Sequence, residues 1–292
     1  MNNILILGGK GFIGSNLAEF LVNENENVIV FKGDFNDSET VEKVFKENKI
    51  DIVIHLISSI IPATPFEKII KNTEINSTIN LLDIMRKRGV NKIMFFSSGG
   101  AVYGTNGQKV NKEDSPTNPI NFYGWLKLTI ESYLQMNHRV HGLNYIILRP
   151  SNAYGKRQNI QGGQGLIAVT LGKLLQNKPI EIWGNGEVVR DYIYIDDLCR
   201  AVFLLIKNRQ WNNVYNVGGG KGTSVNEILR IIKKITGINF GINYKESREV
   251  DIPVNILDVS KLKNSIPWGE LTGIEEGIKT YWKELNHENK KS

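Results

Sequence analysis

Ile4-Leu5-Ile6-Leu7-Gly8-Gly9-Lys10-Gly11-Phe12-Ile13-Gly14 is the stretch on which the reading of this chain turns. An apolar run of strand length leads into spaced glycines, and an amphipathic helical pattern follows over about 12–24. Gly8, Gly11 and Gly14 permit a tight turn, a close approach of backbone to a pyrophosphate, and tight packing of helix on strand. The helix that opens there offers unpaired N–H groups and the positive end of its dipole to phosphate. Phe12 and Ile13 lie between the last two glycines and belong to the same loop. Three glycines alone would fit any turn. Strand, loop and helix in that order, at the start of the chain, point to a dinucleotide cradle.

Outward from the loop, apolar runs of strand length recur at 28–31, 52–56, 93–96 and 145–148. Helical patterns separate them near 38–48, 67–88 and 122–140. Apolar runs alternating with helices predict a parallel sheet covered on both faces, an α/β fold of the Rossmann-type, doubly wound kind. From about Ser151 the pattern loosens. Gln161-Gly162-Gly163-Gln164-Gly165 precedes a helical stretch near 166–177, with short strands at 193–195 and 214–217 and helices near 197–207, 224–236 and 274–285. The expected organisation is a dinucleotide-binding domain over 1–155, with a return segment near 190–217, and a smaller mixed α/β substrate lobe over 156–292. No repeat or low-complexity linker separates them, so the lobes should pack closely. The polar tail after Leu285 is expected to fray.

Composition narrows the class. The 292 residues are 41% hydrophobic, enough for a large core. No run reaches the ~18 apolar residues of a membrane span, and no basic segment precedes the first strand, so neither membrane nor signal peptide is expected. A single cysteine, Cys199, excludes a disulfide framework and suits a reducing cytoplasm. With one Cys and four His, no metal-ligand cluster stands out. The formal charge is +6, but basic residues alternate with acids. Only Arg86-Lys87-Arg88 and Lys290-Lys291 cluster, and the former reads as the solvated end of a helix. Nucleic acid is therefore not expected as a partner, and a mildly basic surface suits an anionic diphosphate ligand.

Where the second strand ends, a dinucleotide fold normally places an acid for the adenine ribose. Here Lys32 stands there, a cation able to pair with a 2′-phosphate, which favours NADP(H). Asp34, two residues on, reaches the adenine or ribose and keeps NAD(H) open. Phe35 and Leu56 are counted with these cofactor-binding residues. Further on, Tyr123-Gly124-Trp125-Leu126-Lys127 opens a helical stretch. The i, i+4 spacing puts the Tyr123 hydroxyl and the Lys127 ammonium on one helix face. A nearby cation favours tyrosinate, and with it a proton-transfer role.

These motifs continue in order along nearly the whole chain. Val53-Ile54-His55-Leu56, Phe96-Ser97-Ser98 and Val102-Tyr103-Gly104 come first, then Leu148-Arg149-Pro150-Ser151-Asn152-Ala153-Tyr154-Gly155. Arg190-Asp191-Tyr192-Ile193, Asp196-Asp197-Leu198, Asn216-Val217-Gly218 and Leu257-Asp258-Val259-Ser260-Lys261 follow. The set resembles the extended short-chain dehydrogenase/reductase family, the NAD-dependent epimerase/dehydratase group. The resemblance implies that Tyr123, with Lys127, moves a proton at a sugar oxygen while a nicotinamide exchanges hydride at the same carbon. It implies a diphosphate site of Asn152, Arg190 and Arg248, with Asp251 near the nucleotide ribose. It also implies a nucleoside-diphosphate sugar as substrate, and a homodimer built on the helices near 67–88 and 122–140.

Departures from the family pattern sharpen the expectation. Gly99 occupies the place of the usual third catalytic residue, a Ser or Thr, so either Ser98 takes over or the site works without it. Gly100 and Ala101 stand where dehydratases carry an Asp-Glu pair, which disfavours dehydration. Glu74 replaces a common Asn, with no role that the sequence reveals. Lys32 runs directly into Gly33-Asp34, so about one edge strand is missing, as in the family's NADPH-dependent reductases. The leading expectation is an enzyme using NADPH to reduce the C4 ketone of a nucleotide-linked 4-keto-6-deoxyhexose, with Tyr123 as proton donor. The alternative is an NAD-dependent 4-epimerase of UDP-hexoses, and a remote one is a non-catalytic dinucleotide sensor. His55 reads as a packed core-edge histidine and Cys199 as buried filler. Trp183 either shapes the nucleotide pocket or anchors a turn.

Overall fold

In the computed structural model, which describes residues 1–247 and 252–289, the elements follow in chain order. The first half runs β1 (Asn3–Leu7), α1 (Phe12–Asn23), β2 (Asn27–Val30), α2 (Ser38–Glu47), β3 (Ile52–His55), α3 (Phe66–Ile69), α4 (Glu74–Lys87) and β4 (Lys92–Phe96). It continues with β5 (Val110–Asn111), α5 (Phe122–His141), β6 (Asn144–Pro150) and β7 (Asn152–Tyr154). The second half runs α6 (Leu166–Leu175), β8 (Ile180–Trp183), β9 (Val189–Tyr194), α7 (Ile195–Lys207), β10 (Asn213–Val217) and β11 (Gly222–Ser224). Last come α8 (Val225–Thr236), β12 (Ile242–Lys245), β13 (Val254–Leu257), α9 (Ser260–Ser265) and α10 (Ile274–Asn289).

The apolar runs form one six-stranded parallel sheet, in the order β10-β6-β4-β3-β1-β2. Ile4, Leu5, Ile6 and Leu7 of β1 are all fully buried, because successive side chains enter opposite cores. Ile4 and Ile6 join the core shared with α1 and α7, whereas Leu5 and Leu7 join the core beneath α2, α4 and α5. Among the described residues no strand lies outside β2, so the sheet is one edge strand short, as the sequence predicts. At the other edge, β10 returns from the second half to pair with β6.

The second lobe is mixed. β11-β9-β13-β5 form one sheet, with β7 joined to β9, and β12 pairs with β8. β9 pairs antiparallel with β11 but parallel with β13 and β7. Among the described residues, no helix is long and apolar enough to cross a membrane.

Two stretches differ from the sequence reading. The expected helix over 67–88 is broken at 70–73. Asn72 accepts from the Glu74 N–H (3.1 Å) and donates to the Ser59 hydroxyl (2.7 Å), and Thr73 donates to the Asn36 amide oxygen (2.6 Å). These side chains offer the backbone an alternative to helix and restart it at Glu74. The terminal helix, expected to fray after Leu285, continues to Asn289, with Leu285 buried in the core.

Helix α5 is fixed at both ends and in the middle. The Asn121 side chain caps the Gly124 N–H (2.9 Å), and Gly142, at φ +70°, closes the helix in the left-handed conformation. Between them Glu131 takes a bidentate pair from Arg149 of β6 (3.1 and 2.7 Å) and a hydrogen bond from Ser97. Arg149 is buried and also donates to the Tyr103 hydroxyl (3.0 Å). Removing one partner of such a pair leaves a buried charge without compensation, at about 3–5 kcal/mol. Urea denaturation of Glu131→Ala should show a loss of that size. A loss below about 1 kcal/mol would mean that the pair does not anchor the helix.

Candidate active site

The carboxyl ends of β1, β3, β4 and β6 open into a cleft of about 770 Å³ between the sheet and the second lobe. Gly8, Gly11, Phe12, Ile13, Gly14, Leu56, Ser98, Tyr123 and Lys127 line its sheet side. Asn152, Trp183 and Arg190 line the other. The sequence-predicted residues thus meet in one place, three groups of them excepted.

The glycine loop fits a pyrophosphate. Gly8 sits at φ +86°, and the Gly11 N–H bonds back to the Gly8 carbonyl (3.0 Å). A Cβ at Gly14 would run into the Gly8 carbonyl oxygen and the Gly9 Cα, so α1 packs on the loop at a distance only glycine allows. No side chain caps α1, and its first turn faces the cleft. Lys32 and Asp34, just past β2, are exposed and outside the cleft lining. Asp34 accepts from the N–H and side chain of Asn36 (2.9 and 3.1 Å). Phe35, expected at the cofactor, is instead a core residue packed edge-on to His55 at 5.0 Å between ring centroids.

Asn121, as cap, places Tyr123 in the first turn of α5 and Lys127 one turn on. Tyr123 is half-buried, and the Lys127 ammonium lies 5.7 Å from its ring centroid. Lys127 is buried and donates to Glu74 (3.2 Å) and the Ile57 carbonyl (3.4 Å), above the Phe95 ring (5.0 Å). His55 lies fully buried between Phe35 and Phe95, with its Nε2 3.2 Å from the Thr78 hydroxyl. Burial, with the Lys127 charge, drives its pKa down to about 3, so it stays neutral and serves packing rather than proton transfer.

Across the cleft, the Asn152 amide donates to the Asp191 carbonyl (2.9 Å). The Arg190 guanidinium donates to the carbonyls of Val189 (2.9 Å) and Ile252 (2.5 Å). Asp191 is buried and accepts from the N–H groups of Gly219 (2.7 Å), Gly220 (3.1 Å) and Leu257 (3.1 Å), pinning β9 to the Gly218–Gly220 turn and to β13. Trp183 is half-exposed, with the Lys245 ammonium 5.4 Å from its ring centroid. Arg248 and Asp251, expected at the diphosphate and the ribose, lie outside the described residues.

A model of the NAD dependent epimerase/dehydratase family matches residues 4–218, which holds the cradle, Tyr123, Lys127 and Arg190. The chain belongs to that family. A UDP-glucose 4-epimerase of Halalkalibacterium halodurans is 32% identical, covering 91% of this chain and 90% of the relative. A dTDP-4-dehydro-6-deoxyglucose reductase of Escherichia coli is 28% identical, covering 95% of each. The crystal structure of UDP-glucose 4-epimerase from Thermotoga maritima, with UDP-glucose, superposes with a TM-score of 0.92 at 32% identity. That superposition covers 98% of this chain and 99% of the other. Membership in this family of enzymes displaces the non-catalytic sensor.

Against the family pattern, the structure explains two departures. A Cβ at Gly99 would stand 2.6 Å from Leu257 Cδ1 and 2.9 Å from the Arg149 carbonyl oxygen. Leu257 thus fills the space of the usual hydroxyl, and the Gly99 carbonyl accepts from Asn255 (3.1 Å). Both neighbouring serines line the cleft, but Ser97 is buried and spent on Glu131, whereas Ser98 is half-buried. Gly100 and Ala101, in the place of the dehydratase pair, line the cleft without a carboxylate of their own. Glu74, without a role in the sequence reading, proves to be the partner of Lys127, and Ser58 and Gln158 join the cleft wall unannounced by any motif. Only the departure at Glu74 was visible as a signal.

Asp191 yields a pH prediction. Burial raises its pKa from the ordinary carboxylate value to about 6, although three backbone N–H groups pull the other way. Its contribution to stability is therefore complete below the unfolded value near 4 and is lost as pH rises through about 6. The destabilisation caused by Asp191→Asn should shrink by about 3 kcal/mol between pH 3.5 and pH 7, at about 1.4 kcal/mol per pH unit. Urea denaturation across that range measures it. A penalty that grows with pH would contradict the assignment.

Proposed function

We propose that this chain is a 4-epimerase of UDP-hexoses that retains NAD(H) through turnover. The reading is carried by the near-complete correspondence with the epimerase that holds UDP-glucose. The trimmed stretch after β2 had pointed toward reductases. An epimerase of matching length weighs against that argument, because 99% of its chain finds a counterpart here. Lys32, exposed and outside the cleft lining, then reads as a solvated residue.

The chain's own residues divide the work. Gly8, Gly11 and the first turn of α1 bind the pyrophosphate of the dinucleotide. Arg190 and Asn152, with Arg248, hold the substrate diphosphate, since guanidinium and amide donors suit a dianion. Trp183 stacks on the base. Tyr123 takes the proton of the sugar C4 hydroxyl and later returns it, and Ser98 hydrogen-bonds the same oxygen. Lys127 holds Tyr123 and the nicotinamide ribose in register. A dinucleotide held there would supply the redox chemistry at C4, as hydride acceptor and donor in turn. The protein works as a cytoplasmic homodimer in this reading, supported by the buried thiol of Cys199 and by exposed Ile79 on α4 and Trp125 on α5.

The second reading is reduction of a nucleotide-linked 4-keto-6-deoxyhexose by NADPH, with Lys32 on the 2′-phosphate. The cation at the end of β2 and the reductase relative favour it. Purified protein given UDP-galactose and no added cofactor should form UDP-glucose, followed by nuclear magnetic resonance of the anomeric protons. Tyr123→Phe should lower kcat by about 10²–10⁴-fold. Failure to interconvert the two sugars, with NADPH consumed on a 4-keto nucleotide sugar, would establish the reductase instead.

A further inference from the structure

We propose that Glu74 is a positioning residue that cancels the charge of Lys127 and so fixes the pH range in which Tyr123 serves as a base. The proposal rests on the reading of Tyr123 and Lys127 as the proton-transfer pair. Glu74 Oε1 lies 3.2 Å from the Lys127 Nζ, with the two side chains 1% and 2% exposed. The other carboxylate oxygen accepts from the Ser59 N–H (3.0 Å), the Ser58 hydroxyl (3.3 Å) and the Ser59 hydroxyl (3.4 Å). Every one of these further donors is neutral, so the carboxylate charge is spent on Lys127 alone. The helix break at 70–73 is what delivers Glu74 to this point, as the first residue of α4.

Among the described residues, Glu74 is the one carboxylate paired with Lys127. On α5 the charged neighbours are Lys127 and, one turn further, Glu131. From β6 Arg149 reaches in, but it is closed on Glu131 (2.7 Å). From β3 comes His55, neutral across the working range. From α4 comes Glu74. The segments at 57–60 and 97–100 carry no charged side chain.

An ammonium near a phenol favours tyrosinate, and a carboxylate against that ammonium removes most of the preference. With the asparagine common in the family at this position, Lys127 would act on Tyr123 unopposed. Glu74, paired with Lys127 at 3.2 Å, therefore opposes the pull of that ammonium on the Tyr123 proton.

The test follows tyrosinate absorbance in the protein as purified, with its dinucleotide, each variant being read against its own Tyr123→Phe partner so that only Tyr123 contributes. Glu74→Gln should bring the midpoint down by about 1–3 pH units. The alkaline limb of kcat on the nucleotide sugar should move the same way. Glu74→Asn, with the same loss of charge in a shorter side chain, should reproduce the shift and decides the matter if Glu74→Gln does not fold. A midpoint that is unchanged or raised in a folded variant overturns the proposal and leaves Glu74 a purely structural partner. If instead Tyr123→Phe keeps full turnover, it is the proton-transfer reading that falls, whatever Glu74 does.

Discussion

One buried cation organises this molecule. The Lys127 ammonium sits on α5 and is satisfied by Glu74 from α4 and by the Ile57 carbonyl from the turn after β3, with the Phe95 ring of β4 beneath it. Removing a charge from water costs several kcal/mol, and only close partners offset that cost. Three elements are therefore held to one point. Because Asn121 caps the same helix one turn earlier, fixing Lys127 also fixes Tyr123 at the mouth of the cleft. A second buried pair, Arg149 with Glu131, repeats the arrangement one turn further along α5 and ties it to β6.

The two lobes are joined by backbone as much as by side chains. Asp191 collects N–H groups from the Gly218–Gly220 turn and from β13, and Asn255 of β13 donates back to the Gly99 carbonyl beneath the catalytic face. Leu257 of the same strand closes the space next to Gly99. The loss of the usual hydroxyl at that position is thus a packing solution, in which a second-lobe leucine and a first-lobe glycine fit together. Ser98, one residue earlier, remains at the cleft.

The fold was legible because its central features are local. Ile4 to Leu7 read as a strand buried on both faces, and the spacing of Gly8, Gly11 and Gly14 specified how closely α1 approaches. Tyr123 and Lys127 share a helix face through spacing alone. What stayed hidden depends on contacts between distant segments. The break at 70–73 arises from Asn72 and Thr73 bonding to Ser59 and Asn36, which a periodic pattern cannot reveal. Phe35 lay beside the cofactor in sequence but turns into the core against His55. The choice between Ser97 and Ser98 is made by Glu131, more than thirty residues away from either.

The epimerase proposal requires that the site keep its dinucleotide through both halves of the reaction. Mass spectrometry of the nucleotide released when freshly purified protein is denatured tests that claim most directly. NAD or NADH in a ratio near one per chain is the predicted result. A site that releases nothing, yet binds NADPH far more tightly than NADH, would contradict it.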